Sequence, residues 1–259
     1  MAYDRAVITA GGRSLTAAEL LRRAHAAAHR FRGHRAVIHL GANQLAYPVA
    51  LFGAALAGVP FVPVNYRLGE QQLNALLDRH PGAVVLRPAD LDALLDEQPD
   101  VEFLDPPQDQ DSVAVLLYTS GTTAEPKAAV LRHRHLLAYV LNTQEFASAE
   151  EGDASLVAVP PYHVAGLMNL LTNLYSGRRI VYLQTFEPRQ WLGTVRGERI
   201  THALVVPTML ARIVAEVPGE DAGTPCCAAS PTAAPAPRSR SWNGRCASSR
   251  RPASSTPTA

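Results

Sequence analysis

Lys127 closes the run Tyr118-Thr119-Ser120-Gly121-Thr122-Thr123-Ala124-Glu125-Pro126-Lys127, and it is the only lysine among the 24 strong bases of the chain. Every other strong base is arginine. A glycine lets the backbone approach an anion closely, the hydroxyls of Thr119, Ser120, Thr122 and Thr123 can donate hydrogen bonds, and an ammonium supplies a mobile point charge. The natural guest is a nucleoside triphosphate, so Thr119, Ser120, Gly121, Thr122, Thr123 and Lys127 are the candidate cofactor-binding residues, with Lys127 also a candidate catalytic group. The alternative reading of the same residue types is a flexible Ser/Thr/Gly connection. A Walker A loop fits less well, because Gly121 to Lys127 has one residue too many and Ala128 stands where Ser or Thr should follow. His163, in Pro160-Pro161-Tyr162-His163-Val164-Ala165-Gly166, is the second candidate. By residue type alone, a lone imidazole after an apolar strand is more often an ordinary capping or core residue.

These groups need a scaffold, and the chain alternates amphipathic helices with short apolar strands as far as about residue 217. The apolar run Val113 to Leu117 precedes the Gly/Ser/Thr loop and a helix over Arg132 to Phe146 follows it, giving strand, loop, helix. Ser14 or Thr16 can cap a helix toward Phe31, followed by a strand over Arg35 to Leu40. A helix over Gln44 to Ala57 leads into Phe61 to Val64. The cycle repeats through helix Glu70 to Arg79, strand Ala83 to Leu86, helix Asp90 to Glu97 and strand Val101 to Leu104. Beyond the loop come strand Ser155 to Val159, helix Val164 to Tyr175, strand Arg179 to Leu183, helix Pro188 to Arg196, strand Thr201 to Val206 and helix Thr208 to Glu216. This order predicts an α/β fold of stacked, mainly parallel sheets with flanking helices.

Tyr118 to Lys127 resembles the phosphate-loop signature of the adenylate-forming (AMP-binding) superfamily, Y-T-S-G-T-T-G-x-P-K-G. The chain departs from it only at Ala124 and Ala128, which replace glycines, and a β-carbon costs ~1 kcal/mol wherever a positive φ is required. Three weaker likenesses fall in the family's order. Leu56 to Leu68 resembles an early helix-to-strand element, G-x-x-x-V-P-x-N-x-R-L; Pro160 to Gly166 resembles P-x-x-H-x-x-G; and Thr201 to Leu210 resembles a strand beside the substrate pocket. The resemblance implies a partial N-terminal domain of an adenylate-forming enzyme over residues 1–218, of the acyl-CoA synthetase type. It implies activation of a small-molecule carboxylic acid with ATP and Mg2+, transfer to coenzyme A, phosphate contacts from Thr119 to Thr123 and Lys127, and an acyl site bordered by His163. Val164, Leu167, Met168 and Leu171 beside His163 favour a fatty or aromatic acid over an amino acid. The family's magnesium-ligating glutamate in Y-G-x-T-E and the lysine of its C-terminal domain have no counterpart here. The reading that follows is an inactive fragment, the alternatives being a non-catalytic nucleotide- or acyl-binding module and a pseudogene product.

Residues 219–259 differ in kind. They contain no Leu, Ile, Val, Met, Phe or Tyr, and five arginines against two acids give them a charge of +3. Such a segment buries too little apolar surface to offset its ordering entropy, so it reads as a low-complexity, disordered tail. It also reads as a frameshifted tail. Codons offset by one base permit L-R-G-L-S-Y-G-G from Cys226 to Ala234 and G-F-V-N-A-Y-G-L from Ala253 onward, both resembling later family motifs. Cys226, Cys227 and Cys246 make no metal signature and no disulfide framework.

With 47% hydrophobic residues, a net charge of +1 and no apolar run near the ~20 residues that span a bilayer, the composition predicts a cytoplasmic protein with no transmembrane segment. Scattered basic residues argue against nucleic-acid binding. Arg132-His133-Arg134-His135 reads as the solvated start of a helix, with its two histidines on different sides and so no metal site.

Overall fold

The computed structural model describes residues 4–96, 102–119, 127–216 and 228–229. In chain order its strands are β1 (Ala6–Ala10), β2 (Arg13–Thr16), β3 (Val37–His39), β4 (Phe61–Pro63), β5 (Val84–Leu86), β6 (Val113–Thr119), β7 (Lys127–Arg132), β8 (Ala154–Val157), β9 (Arg179–Tyr182), β10 (His202–Leu204) and β11 (Ala228–Ala229). The helices are α1 (Ala17–Phe31), α2 (Ala46–Ala57), α3 (Glu70–Leu77), α4 (Pro88–Asp96), α5 (His133–Thr143), α6 (Val164–Ser176), α7 (Pro188–Gly197) and α8 (Pro207–Glu216). One sheet runs β11-β10-β8-β9-β1-β2 and the other β5-β3-β4-β6-β7. All their pairings are parallel except the β1–β2 and β6–β7 hairpins. The stacked, mainly parallel α/β architecture expected from the sequence is the one observed.

Strand alternation explains the layering. In β3, Val37 faces a central core while Ile38 faces an outer one, and in β9 Ile180 and Tyr182 face the centre while Val181 faces out. The central core lies between the sheets and is filled by α1, α2, α4 and α6. Trp191, Leu192 and Val195 of α7 with Met209 and Ile213 of α8 cover the outside of the first sheet. Leu73, Leu76 and Leu77 of α3 cover the outside of the second. Parallel strands buried on both faces need apolar residues throughout, which is why they read as short continuous runs in the sequence.

Local chemistry starts the elements where expected. The Thr16 hydroxyl accepts from the Glu19 N–H while the Glu19 carboxylate accepts from the Thr16 N–H, a reciprocal cap for α1. Ser14 instead lies in β2, its hydroxyl 2.9 Å from that of Thr9. The α1 and α2 backbones approach closely because Gly53 faces Ala24 and Ala27: a β-carbon there would sit 2.7 Å from the Ala27 Cβ and 3.1 Å from the Phe31 ring. Gly53→Ala is therefore expected to destabilise the chain by about 1–2 kcal/mol, read as a lower urea midpoint with unchanged slope.

Two expectations need correction. Residues 102–104 form no ladder: Phe103 stacks on His25 with ring centroids 4.3 Å apart, and the Leu104 N–H donates to His25 Nδ1 at 3.0 Å. A helix side chain has replaced the neighbouring strand as partner. The segment after the Gly/Ser/Thr loop is a strand, β7, before it is a helix, so the phosphate-loop candidate bridges a hairpin.

Of residues 219–259, only Ala228 and Ala229 are described, and they pair parallel with His202 and Ala203. The remainder of that segment, with its three cysteines, lies outside the described residues.

Candidate nucleotide and acyl site

β6 and β7 hold the first group of candidates. Tyr118 is paired with Ala128 and Thr119 with Lys127, so the final rung of the hairpin carries a threonine hydroxyl and the lysine side by side. The Thr119 hydroxyl donates to the Lys127 carbonyl at 3.4 Å, and both residues are exposed. Ser120, Gly121, Thr122 and Thr123 lie outside the described residues, as does Ala124. Ala128 occupies an ordinary extended strand position without a positive φ, so the second departure from the glycine pattern carries no backbone strain.

His163 lies on the other sheet, beyond the carboxyl end of β8. It is the N-cap residue of α6, yet its ring makes no capping hydrogen bond. Capping therefore does not occupy the imidazole, which is exposed and whose pKa is lowered by the partial burial it does have. The backbone around it is tightly wound. The His163 N–H donates to the Pro160 carbonyl at 3.1 Å, and a β-carbon at Gly166 would come within 2.8 Å of that same oxygen. The spacing from Pro160 to Gly166 is thus a packing requirement. Among the apolar neighbours expected to shape an acyl site, Leu167 is fully buried in the core and Met168 and Leu171 pack against it, while Val164 is exposed.

Residues that follow strands of the second sheet hold the His163 segment in place. Asn43, almost fully buried between β3 and α2, donates through one amide to the carbonyls of Val159 at 2.9 Å and Leu183 at 3.1 Å. It ties the ends of β8 and β9 together. The Tyr47 hydroxyl donates to the Pro161 carbonyl at 3.3 Å. Tyr66, just beyond β4, meets Tyr162 edge to face at 5.9 Å, Tyr162 lies against His163 at 4.7 Å, and the Arg67 guanidinium is 5.6 Å from the Tyr66 ring centroid. Burial raises the Tyr162 phenol pKa, with Arg67 pulling it the other way. Since β4 neighbours β6, the Tyr66–Tyr162 contact joins the His163 segment to the sheet that bears Lys127.

Asn43, Tyr47, Tyr66 and Tyr162 had no assigned role in the sequence reading. Tyr66 and Tyr162 stand inside two of the motifs quoted for the resemblance, but their contact spans almost a hundred residues. Asn43 had only a polar residue's position before a helix as its signal. Among the described residues, no three His, Cys, Asp or Glu side chains converge as a metal cluster, and no helix is long and apolar enough to cross a membrane.

Thr119 thus lies at the carboxyl end of β6 and His163 beyond that of β8, on different sheets. The profile of the AMP-binding enzymes matches residues 2–239. The chain belongs to the AMP-binding enzyme family. It is 35% identical over 232 residues to the feruloyl-CoA synthase of Amycolatopsis sp, covering 79% of this chain and 46% of that protein. It is 31% identical over 213 residues to the indoleacetate–CoA ligase of Aromatoleum aromaticum, covering 70% and 42%. Among solved structures, the o-succinylbenzoate coenzyme A synthetase MenE of Bacillus subtilis in complex with ATP and magnesium ion superposes with a TM-score of 0.67 at 26% identity, covering 84% of this chain and 50% of that one. The chain spans about half the length of the curated relatives it matches.

Proposed function

We propose that this chain carries the phosphate-binding hairpin and part of the acyl site of an AMP-dependent acid–thiol ligase. In that chemistry a carboxylate oxygen attacks the α-phosphorus of ATP, pyrophosphate departs, and a thiol such as that of coenzyme A then displaces AMP from the acyl carbon. Two anions must meet in the first step, so positioned donors and cations do much of the work. The observation that carries the reading is the Thr119–Lys127 rung, in which a threonine and the chain's single lysine stand side by side at the hairpin end that leads into Ser120, Gly121, Thr122 and Thr123. These groups suit the β- and γ-phosphates of ATP. Mg2+ would be held by the phosphates themselves and by groups other than these. His163, unengaged as a cap, would border the carboxylate, with Asn43 and Tyr47 fixing the backbone before it and Tyr66 packing on the neighbouring Tyr162 ring.

An aromatic or fatty carboxylic acid fits this reading best, supported by Met168 and Leu171 beside the His163 segment and by relatives whose names specify feruloyl and indoleacetate substrates. A cytoplasmic location goes with it. We take residues 1–218 as the partial AMP-binding domain and 219–259 as a separate low-complexity segment. No Tyr-Gly-x-Thr-Glu run occurs in residues 1–259, so this polypeptide is expected to bind nucleotide without completing the reaction. Equilibrium binding of MgATP to the purified 259-residue chain should saturate, and carboxylic-acid-dependent release of pyrophosphate should be absent. Failure to bind would remove the nucleotide reading, and acid-dependent pyrophosphate would remove the inactive one.

A further inference from the structure

Tyr118 is the last residue of β6 before the Thr119–Lys127 rung, and its ring packs with Leu73 and Leu77 on the outer core formed by Ile38, Val62 and Leu76. Its hydroxyl lies 2.8 Å from His80 Nε2, with the two rings perpendicular at 5.8 Å. His80 itself is fixed by the turn between α3 and β5: its N–H donates to the Leu77 carbonyl at 2.9 Å, and its own carbonyl accepts from the Ala83 N–H at 3.1 Å. A continuous set of bonds therefore runs from that turn through the imidazole and the phenol to the rung that presents the lysine.

We propose that His80 is a positioning residue for Lys127, pinning the Tyr118 hydroxyl so that the end of the β6–β7 hairpin holds the lysine in one register. The functional side of this inference rests on the reading of Lys127 as a phosphate group's partner. Desolvation lowers the His80 pKa and raises that of Tyr118, so near pH 7 the bond joins two neutral, half-buried groups. Removing either partner breaks the bond and leaves the other, half-buried group to water, so the loss is of the order of one hydrogen bond. Lys127 lies at an exposed edge strand with β6 as its partner, so the hairpin end depends on the β6 side for its order.

The single lysine makes the test direct, because a lysine-specific endoprotease has one site in the chain, Lys127–Ala128. Cleavage of the full chain under native conditions should accelerate about fivefold in His80→Phe and in Tyr118→Phe, the latter removing one oxygen only. The double variant should cleave no faster than either single one, because both remove the same bond. His80→Gln, which keeps a hydrogen-bonding group, should restore the parental rate. Melting temperatures within a few degrees of the parent would place the effect in local opening. Unchanged single variants, or a double variant with the product of the two effects, would overturn the proposal. MgATP affinity measured on the same proteins should weaken in parallel with cleavage. A parent that binds no MgATP sinks the nucleotide reading, while the proteolytic cycle still decides whether His80 positions Lys127.

Discussion

Lys127→Ala is expected to weaken MgATP binding by about 10- to 100-fold, the range of a charge-assisted hydrogen bond worth ~1.5–3 kcal/mol, while leaving the unfolding free energy within ~0.5 kcal/mol of the parent. The separation follows from position. Lys127 begins β7 with its side chain exposed, so truncation removes no core contact. Lys127→Arg should fall between the two, since it keeps the charge but replaces a compact rotating ammonium with a planar fork that a tight phosphate cradle does not suit. Binding should also weaken with added salt in the parent and much less so in the alanine variant, because the term removed is Coulombic. The absence of other lysines offers a second readout. Amine-directed labelling reports on one side chain besides the terminus, and MgATP should protect it. Equal affinity in parent and Lys127→Ala would mean that the hairpin is only a Ser/Thr/Gly connection.

The framework was largely legible because its signals are local. Continuous apolar runs marked the strands buried on both faces, and the Thr16–Glu19 pair marked the start of α1 before any contact was known. What escaped was structure defined by a partner. β7 exposes Lys127 to Val130 and so shows no alternation; it is a strand only because β6 bonds to it along its length. β1 and β2 are shorter still, and their signature is the Gly11–Gly12 turn, both residues at positive φ, more than the residues that pair. The site divides along the same line. Lys127 and Thr119 could be named from the loop's chemistry and its resemblance, whereas their pairing on one rung is known only from the fold. The groups that hold the His163 segment in place come from two other segments, the Asn43–Tyr47 stretch and Tyr66, and no spacing rule connects them to residue 163. His80 escaped for the same reason, lying 38 residues from the tyrosine it meets.

Acid should cost this chain stability through a residue that takes no part in the proposed chemistry. His39 lies on the central face of β3, fully buried, with its ring 5.1 Å from Tyr47 and 5.8 Å from Phe61 and neither ring nitrogen hydrogen-bonded to a described residue. Burial pushes its pKa down to about 3, far below the ~6.5 of an unfolded chain. Between those values the unfolded state binds a proton that the folded state refuses, so unfolding takes up protons and stability rises with pH. The contribution is complete above about pH 6.5 and is lost as the pH falls, at ~1.4 kcal/mol per unit, giving a loss of about 2 kcal/mol at pH 5 and about 3 kcal/mol at pH 4. His25, His80, His133, His163 and His202 are lowered as well, so they add to the slope of the parent. The difference between parent and His39→Leu isolates the one group. At pH 7.5 the leucine fills a similar volume and removes one unpaired donor and one unpaired acceptor, so the variant should be at least as stable as the parent. Urea unfolding followed by circular dichroism at pH 7.5, 6 and 5 should then show the variant gaining on the parent by about 2 kcal/mol over that interval. Parallel curves would mean that the imidazole takes its proton while folded, which requires a path for water or an acceptor beside β3 and so a central core more open at the ends of its strands than the packing of Tyr47, Phe61 and Tyr182 allows.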